Sequence, residues 1–424
     1  MEQTVTDKHE QKKLDIINAA FVQWSKDLYT NTSLTAVADA LGMTKPALFR
    51  YFSSKDSLFD AMLASFTQDM MSEAADIMED LENRSLPELL KVSIDRSLRF
   101  FIKHKDRYYF PFFTSPIIKA RITKHPTFMA YREKMVRLIA DKYQSYKGIS
   151  LSNESADMML IYLFYAVSST YLFRKKTVYH LCYEPLTEEM FEETKHVIWD
   201  YLMHGFPQNV NVTPLSDEDF ARIESFILHS ENGQQRDKIF EAITSVIAEC
   251  GIVEASMERI AKQMGLSGKS SLYSHFNSRD DMLQQLFDAE SERILNFVKA
   301  NGLRYDNLNE DMYGCMAATF CYFTSDPNVL RYFDWLHYQM TKESIRPGHS
   351  KMFRIFNDLA DSIDERYHIR TETDSASPII LSVVMLSTFI IRVIVAKNDS
   401  NGGITSPEEV KDLREIYRIY MEGI

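Results

Sequence analysis

The sequence predicts an all-α protein that is built from two copies of one helical unit. Glycine and proline are scarce, with 13 and 12 in 424 residues, so few tight turns are expected. No stretch shows the clear alternation of apolar and polar residues that is typical of a half-buried strand. A chain of this length also exceeds one typical hydrophobic core, so at least two domains are expected.

The clearest sign of the repeat is a pair of similar stretches, one in each half of the chain. The first reads LGMTKPALFRYFSSKDSL over residues 41–58, and the second reads MGLSGKSSLYSHFNSRDDM over residues 264–282. Gly42 of the first stretch aligns with Gly265 of the second. One extra residue near Gly268 then shifts the register of the second copy, after which the apolar and basic positions coincide again.

Two further matches follow in the same order along the chain. Residues 158–175 resemble residues 378–397, and residues 187–206 resemble residues 406–424. Three matches in one order are not expected by chance. The chain is therefore predicted to contain two copies of a unit of roughly 200 residues.

Residues 207–232 are predicted to link the two copies. The stretch begins with prolines and polar residues, which are typical of a loop. Ser216, followed three residues later by Asp219, predicts the N-terminus of a helix with a capping box. An amphipathic helix is then expected over about residues 217–229. Its apolar stripe consists of Phe220, Ile223, Phe226 and Ile227.

Each copy begins with the pattern of a helix-turn-helix. An amphipathic helix and a short second helix precede Gly42 or Gly265, each placed where a helix end requires a left-handed residue. Thr44 and Ser267 are expected to cap the third helix by accepting a backbone N–H. The apolar face of the first helix is formed by Leu14, Ile17, Phe21 and Trp24 in the first copy, and by Ile239, Ile243 and Ile247 within residues 236–250 in the second.

The third helix of the first copy presents a short basic and aromatic face. Pro46 fits the first turn, where its missing N–H costs nothing, and Leu48 and Phe52 are expected to point inward. A face of this kind suits a helix that enters the major groove of DNA. Lys55, near the start of the next helix, is expected to meet a phosphate. The residues left on the outer face are Lys45, Ala47, Phe49, Arg50 and Tyr51.

The stretch GMTKPALFRYFSSKDSL resembles the TetR family of bacterial transcriptional repressors. The family pattern is Gly-x-Ser/Thr, then a Leu-aromatic pair, then x-His/Tyr-Phe-x-Ser-Lys-Asp/Glu, and the chain departs from it where Leu58 comes two residues after Asp56. The resemblance implies a three-helix DNA-binding domain and a larger helical domain for ligand binding and dimerisation in each copy. It assigns DNA contacts to Thr44, Lys45, Pro46, Ala47, Phe49, Tyr51 and Lys55 in the first copy, and to Ser267, Lys269, Ser270, Ser271, Tyr273, His275 and Arg279 in the second.

The resemblance also divides the chain into domains and predicts how they assemble. The helical domains are expected to pair within one chain, which makes the protein a monomeric pseudo-dimer. The predicted domains are a first helix-turn-helix domain at 1–66, a first helical domain at 67–206, the linker at 207–232, a second helix-turn-helix domain at 233–287 and a second helical domain at 288–424.

The second copy departs from the family pattern in its charge. Residues 8–66 hold seven basic and six acidic side chains, whereas residues 233–290 hold six basic and nine acidic ones. The whole chain has a net charge of −12, so any DNA binding must come from local patches. Where the second copy has Gly251 between its first two helices, the first has Leu28. The alternative function is therefore a helical ligand-binding or interaction protein in which one or both helix-turn-helix motifs are inactive.

The resemblance further implies a small-molecule effector in the helical domains, which changes the separation of the two recognition helices. Tyrosine hydroxyls are suited to orient such a ligand. Aromatic side chains on helices are by default core residues, and both interpretations stay open. The candidates are Tyr108, Tyr109, Tyr131, Tyr162 and Tyr165.

Other classes of protein find no support in the sequence. No metal, cofactor or catalytic motif occurs, and His180 beside Cys182 does not form a metal-ligand pattern. Sparse cysteines predict a reducing compartment, and the polar N-terminal stretch predicts no export signal. The apolar runs 158–173 and 378–396 are interpreted as buried helices rather than membrane spans. Together with these observations, the resemblance implies a cytoplasmic bacterial regulator that needs no cofactor. Because its two recognition segments differ in sequence, its double-stranded operator is expected to be asymmetric.

Overall fold

The computed structural model describes most of the chain as helices and turns. The described residues are 2–26, 33–81, 83–108, 126–181, 184–205, 213–227, 230, 236–329, 351–369 and 407–424, and they contain no strand. This agrees with the predicted all-α class. The chain separates into two compact units, residues 1–150 and residues 151–424.

The two compact units do not coincide with the two sequence copies. Their division lies inside the first helical domain predicted at 67–206, because the last two long helices of the first copy pack in the second unit. The domain boundaries stay a prediction.

The first unit contains the first helix-turn-helix and the helices that follow it. Its helices are α1 (Glu2–Lys26), α2 (Leu34–Ala40), α3 (Lys45–Leu48), α4 (Lys55–Leu81), α5 (Leu86–Lys103), α6 (Lys105–Tyr108) and α7 (Pro126–Lys147). Helix α1 packs on α2, α4 and α6. Ile17, Phe21 and Trp24 are buried as predicted, but Leu14 is exposed, because burial on α1 begins only at Ile16 and the preceding turns extend past the core.

The second unit contains the remaining helices. They are α8 (Asn153–Phe173), α9 (Glu188–His204), α10 (Asp217–Ile227), α11 (Lys238–Glu254), α12 (Met257–Gln263), α13 (Arg279–Gly302), α14 (Leu308–Ser325), α15 (Lys351–Tyr367) and α16 (Pro407–Glu422). A π-helical turn, Arg174–Val178, extends α8, and 3₁₀ turns cover Lys269–Ser274 and Pro327–Val329. Helix α14 packs on α10, α13 and α16 and is buried over nearly its whole length.

Helix α10 is the predicted linker helix. Its capping box is present, since the Ser216 amide donates to Asp219 Oδ2 at 3.0 Å and the Asp219 amide donates to Ser216 Oγ at 3.2 Å. Phe220, Ile223 and Ile227 are fully buried. Phe226 is not part of the buried stripe. It lies at the edge of the apolar face, 40% exposed, and the guanidinium of Arg304 covers its ring.

The first apolar run forms helix α8. In the part of the chain that the structure describes, one helix, Ser155–Phe173, is long and apolar enough to cross a membrane. A core helix of a soluble protein passes the same test, and 62% of this helix is buried in the fold. The second apolar run, 378–396, lies outside the described residues.

The last helices of the two copies, α9 and α16, meet in a reciprocal way. Helix α16 packs on α8 and α9. Gly205 ends α9 with a φ of 72°, and Gly423 follows α16 with a φ of 77°. A Cβ on Gly205 would overlap the Met421 carbonyl, and a Cβ on Gly423 would overlap the Met203 carbonyl. The two copies are therefore paired within one chain through equivalent glycines, as a pseudo-dimer requires.

Candidate nucleic-acid interface

The first helix-turn-helix is built from capped, short helices. Ser33 caps α2 by accepting a hydrogen bond from the Ala36 amide at 3.0 Å. Gly42 forms the turn with a φ of 61°, a left-handed conformation that favours glycine. Open space surrounds it, so the backbone conformation and not steric crowding is the reason for glycine at this position. Thr44 then caps α3 by accepting from the Ala47 amide at 3.3 Å. These features confirm the predicted turn.

The outer face of α3 is exposed above a buried anchor. Leu48 and Phe52 point inward and are 0% and 6% exposed. Around them, the predicted contact residues fall into two groups. Thr44, Lys45, Pro46, Phe49 and Arg50 are exposed, whereas Ala47 and Tyr51 are half-buried.

Two ring contacts orient the aromatic side chains of this face. Lys45 Nζ lies 5.9 Å from the centre of the Phe49 ring, and His9 of α1 stacks on Tyr51 at 4.7 Å. The Lys45 ammonium at the start of α3 and the Phe49 ring just after its end therefore lie close together on one exposed surface.

Lys55 is the first residue of α4. The turn before it is fixed by Ser54 and Ser57, whose hydroxyls each accept the other's backbone N–H at 3.0 Å. Partial burial lowers the pKa of Lys55, and the charge of neighbouring Asp56 opposes this shift. The lysine stem is thus packed against the domain, and its position at the start of a long helix is a favourable one for an anion.

The second helix-turn-helix has the same framework as the first. Ser256 caps α12 by accepting from the Arg259 amide at 3.3 Å, and Gly265 forms the turn with a φ of 70°. Leu272 and Phe276 are buried as their counterparts are. Gly251 lies inside α11 rather than between the first two helices, and Leu28 lies outside the described residues.

The recognition segment of the second copy differs in form. Residues 269–274 make a 3₁₀ turn instead of an α-helix, and Gly268 occupies the position that precedes it. No side chain caps this turn, so the prediction that Ser267 caps it is wrong. The physical reason is the extra residue, which places glycine where the first copy has its capping threonine.

The basic residues of the second interface already have partners within the protein. Lys269 Nζ lies 2.6 Å from Glu258 Oε1 of α12. Arg279 Nε donates to the Ala255 carbonyl at 3.1 Å, and partial burial lowers the pKa of its guanidinium. The other predicted residues comprise Ser267, Ser270, Tyr273 and His275, which are exposed, and Ser271, which is half-buried.

Each helix-turn-helix is tied to the helical part of its unit by an arginine. In the first unit, Arg107 of α6 donates to Asn18 Oδ1 at 2.5 Å and to Ser65 Oγ at 3.1 Å. In the second unit, Arg236, just before α11, forms two hydrogen bonds at 3.0 and 2.9 Å with the buried carboxylate of Glu290. These arginines are not equivalent in the repeat, so the two copies make the connection with different residues.

The structure describes four of the five candidate ligand residues, which lie on three helices. Tyr131 on α7 is half-buried and Tyr162 on α8 is buried, and burial raises the pKa of both hydroxyls. Tyr108 ends α6, Tyr165 lies on α8, and Tyr109 lies outside the described residues. Core and pocket interpretations of these tyrosines are both compatible with this burial.

Metal-ligand clusters are absent from the described part of the chain. No group of three His, Cys, Asp or Glu side chains comes together there. His180 adopts a left-handed conformation with a φ of 54°, and Cys182 lies outside the described residues. The described cysteines, Cys250, Cys315 and Cys321, form no disulfide.

The repeated geometry defines a class of protein. A short second helix, a left-handed glycine turn and an exposed third segment above buried Leu and aromatic anchors constitute a helix-turn-helix, the DNA-reading element of many regulators, and it occurs twice here. Residues 16–62 and 239–286 both match the sequence profile of the bacterial regulatory proteins of the tetR family. The chain therefore carries two TetR-type DNA-binding domains in tandem. No curated protein matches the chain.

Sequence reasoning missed the partners of the interface residues. From the sequence, Glu258 contributes only to the acidic net charge of the second copy. When the two copies are aligned on their capping serines, Glu258 occupies the position of Thr35. That change from a neutral to an acidic residue was a readable signal. The Ala255 carbonyl and the His9 ring gave no such signal, because their contacts depend on the packed fold.

Proposed function

We propose that the protein is a transcriptional repressor that binds an operator with its two helix-turn-helix domains and leaves it when a small molecule binds. The observation that supports this most strongly is the exposed face of α3. Lys45 on α3, and Phe49 and Arg50 in the turn that follows it, are exposed above buried Leu48 and Phe52. A basic, aromatic helix face on a capped turn is suited to major-groove contact.

Ligand control is supported by the arginine connections between domains. Arg107 and Arg236 each join the first helix region of a DNA-binding domain to helices outside it. A ligand that moves those helices would shift the recognition segments as well. We place this regulator in the bacterial cytoplasm, where operator DNA is found.

A second candidate function is favoured by the second interface. Its recognition segment is a 3₁₀ turn, and Lys269 and Arg279 are engaged by Glu258 and the Ala255 carbonyl. On this alternative the second domain keeps the fold but not DNA binding, and the protein acts as a ligand-binding or interaction protein.

The two functions are separated by selecting DNA with the full-length protein. The protein is incubated with a pool of duplexes that carry a randomised 40-bp centre (about four helical turns), and the bound fraction is amplified and sequenced. We expect an enriched site of two half-sites. Enrichment of one half-site alone supports an inactive second domain, and no enrichment in low salt rejects the DNA-binding function.

A further inference from the structure

We propose that Glu258 is a built-in attenuator of the second DNA-binding domain. Its carboxylate holds the Lys269 ammonium that would otherwise contact a DNA phosphate, and it adds a negative charge beside that phosphate. The inference rests on the proposed DNA-binding function and goes beyond it, because it assigns part of the difference in DNA affinity between the two domains to one side chain.

The geometry of the pair is defined by two adjacent elements. Ser256 caps α12 and places Glu258 in its first turn. Lys269 begins the 3₁₀ turn that replaces the recognition helix. Their charged atoms are 2.6 Å apart, and both side chains remain more than half exposed. The hydrogen bond between the two side chains stabilises the charged form of both. The pKa of Glu258 is therefore lowered, and the pKa of Lys269 is raised.

The first copy shows the same site without the acid. Ser33 and Ser256 are equivalent caps, so Thr35 occupies the position of Glu258. Lys45 is the counterpart of Lys269, and its ammonium lies near the Phe49 ring rather than near a carboxylate. Thr35 is exposed and neutral. The two interfaces therefore differ at this point by one negative charge.

The energetics make Glu258 an attenuator rather than a block. An exposed ion pair is weakly stabilising because water screens its charges, so DNA can break it. A lysine that neutralises a phosphate releases a counterion and adds about 0.9 to the slope of log K against log salt. While Glu258 remains nearby, part of that gain is lost to the broken pair and to repulsion between carboxylate and phosphate. The second domain then binds weakly, and the first domain provides most of the affinity.

The test exchanges the two residues between the copies. Binding of the full-length protein to a 40-bp duplex of mixed sequence is measured by fluorescence anisotropy over a range of salt concentrations. We expect Glu258→Thr to tighten binding by about 3- to 30-fold in low salt and to steepen the salt slope by up to about 0.9. The reciprocal Thr35→Glu should weaken binding and flatten the slope. Glu258→Gln, which keeps the shape of the side chain, should behave as Glu258→Thr does.

Two controls identify the cause. Adding Lys269→Ala to Glu258→Thr should abolish the gain, because the released ammonium is its source. Glu241→Gln removes the same charge from an exposed position on α11 and should give a smaller gain. Unchanged affinity and slope in both Glu258 variants would overturn the inference, and so would an equal gain with Glu241→Gln. A wild-type chain that binds no duplex in low salt would reject the proposed function, and the inference with it, before any substitution is made.

Discussion

Lys55 illustrates how one residue combines packing with a role at the DNA surface. It is half-buried at the first position of α4, next to the serine pair that fixes the turn. Partial burial lowers its pKa, and the charge of neighbouring Asp56 opposes this shift. Its ammonium is therefore held in a restricted position, which reduces the entropy lost on binding a phosphate.

The first prediction concerns this lysine. Lys55→Ala should weaken binding to all DNA sequences alike and reduce the salt slope by about one unit, because a phosphate contact carries no sequence information. Lys91→Ala is the matched control, since Lys91 is an exposed lysine on α5 outside the helix-turn-helix. Affinity measured at several salt concentrations decides the matter. An unchanged salt slope in Lys55→Ala would show that this residue does not contact a DNA phosphate.

At this scale the sequence predicted what depends on the local backbone. The left-handed turns at Gly42 and Gly265 and the cap at Thr44 follow from short-range rules and are present. The cap at Ser267 failed because one inserted residue changed the register of a turn. Glu258 was missed as a partner because an ion pair between two elements depends on how the turn brings them together.

At the scale of elements, the linker helix α10 is held by a buried ionic cluster. The guanidinium of Arg414 on α16 donates to both carboxylate oxygens of Glu224 on α10, at 2.7 and 2.5 Å. The Tyr313 hydroxyl on α14 donates to the same carboxylate at 2.5 Å. Phe220, Tyr313 and Tyr417 stack edge to face around the pair. The linker is thus an integral part of the second unit.

The second prediction follows from this cluster. Glu224→Ala should lower the free energy of unfolding by about 2–4 kcal/mol, because it leaves Arg414 and Tyr313 without their acceptor. Adding Arg414→Ala should cost less than the sum of the two single changes. The matched control is Asp217→Ala, which breaks the exposed pair with Arg418 at 3.0 Å and a longer one with Arg414 at 4.0 Å between the same two helices, and should cost at most about 1 kcal/mol.

Urea unfolding of the four variants measures these differences. Equal losses for Glu224→Ala and Asp217→Ala would show that burial adds nothing to the Glu224 pair. The sequence predicted the helix and its cap but not this cluster, because Glu224 and Arg414 are 190 residues apart in the chain. Periodicity identified the apolar face of α10, and only tertiary packing reveals which polar group that face buries.

For the whole molecule, the reciprocal glycines at the ends of α9 and α16 indicate how the copies pair. Each glycine lies against the backbone of the other helix end, and the Ile424 amide donates to the Leu202 carbonyl at 2.7 Å. The apolar surface that TetR-type chains use to pair is expected to be covered within this chain. We therefore expect the protein to be a monomer of 49.3 kDa in solution.

The third prediction tests this pairing. Gly205→Ala and Gly423→Ala should each destabilise the second unit, because the new Cβ meets backbone atoms that cannot move independently. Gly148→Ala has the same left-handed strain in open space, with a φ of 73°, and should lose only about 1–2 kcal/mol. Light scattering on the wild type, with thermal unfolding of the variants, provides the readout. An obligate two-chain species, or equal effects for all three changes, would contradict intrachain pairing.

The last prediction concerns the symmetry of the operator. Two identical chains present identical recognition helices and read a palindrome, but this chain presents two different segments. Arg50 has Ser274 as its counterpart, and an α-helix in one copy corresponds to a 3₁₀ turn in the other. Because side-chain identity reads base edges, with about 1–3 kcal/mol for each good contact, the two half-sites should differ in sequence.

Footprinting on a selected duplex measures this difference directly. Arg50→Ala should relax base preference in one half-site only, while Ser274→Ala should leave that half-site unchanged. The half-site centres should be about one helical turn apart, or a small multiple of it, because two paired recognition segments read the major groove on the same side of the duplex. A palindrome protected equally on both sides would contradict the asymmetry. Fusion in one chain lets each copy change its recognition segment without altering the other. Protection of one half-site alone would therefore indicate that only the first domain still reads the DNA sequence.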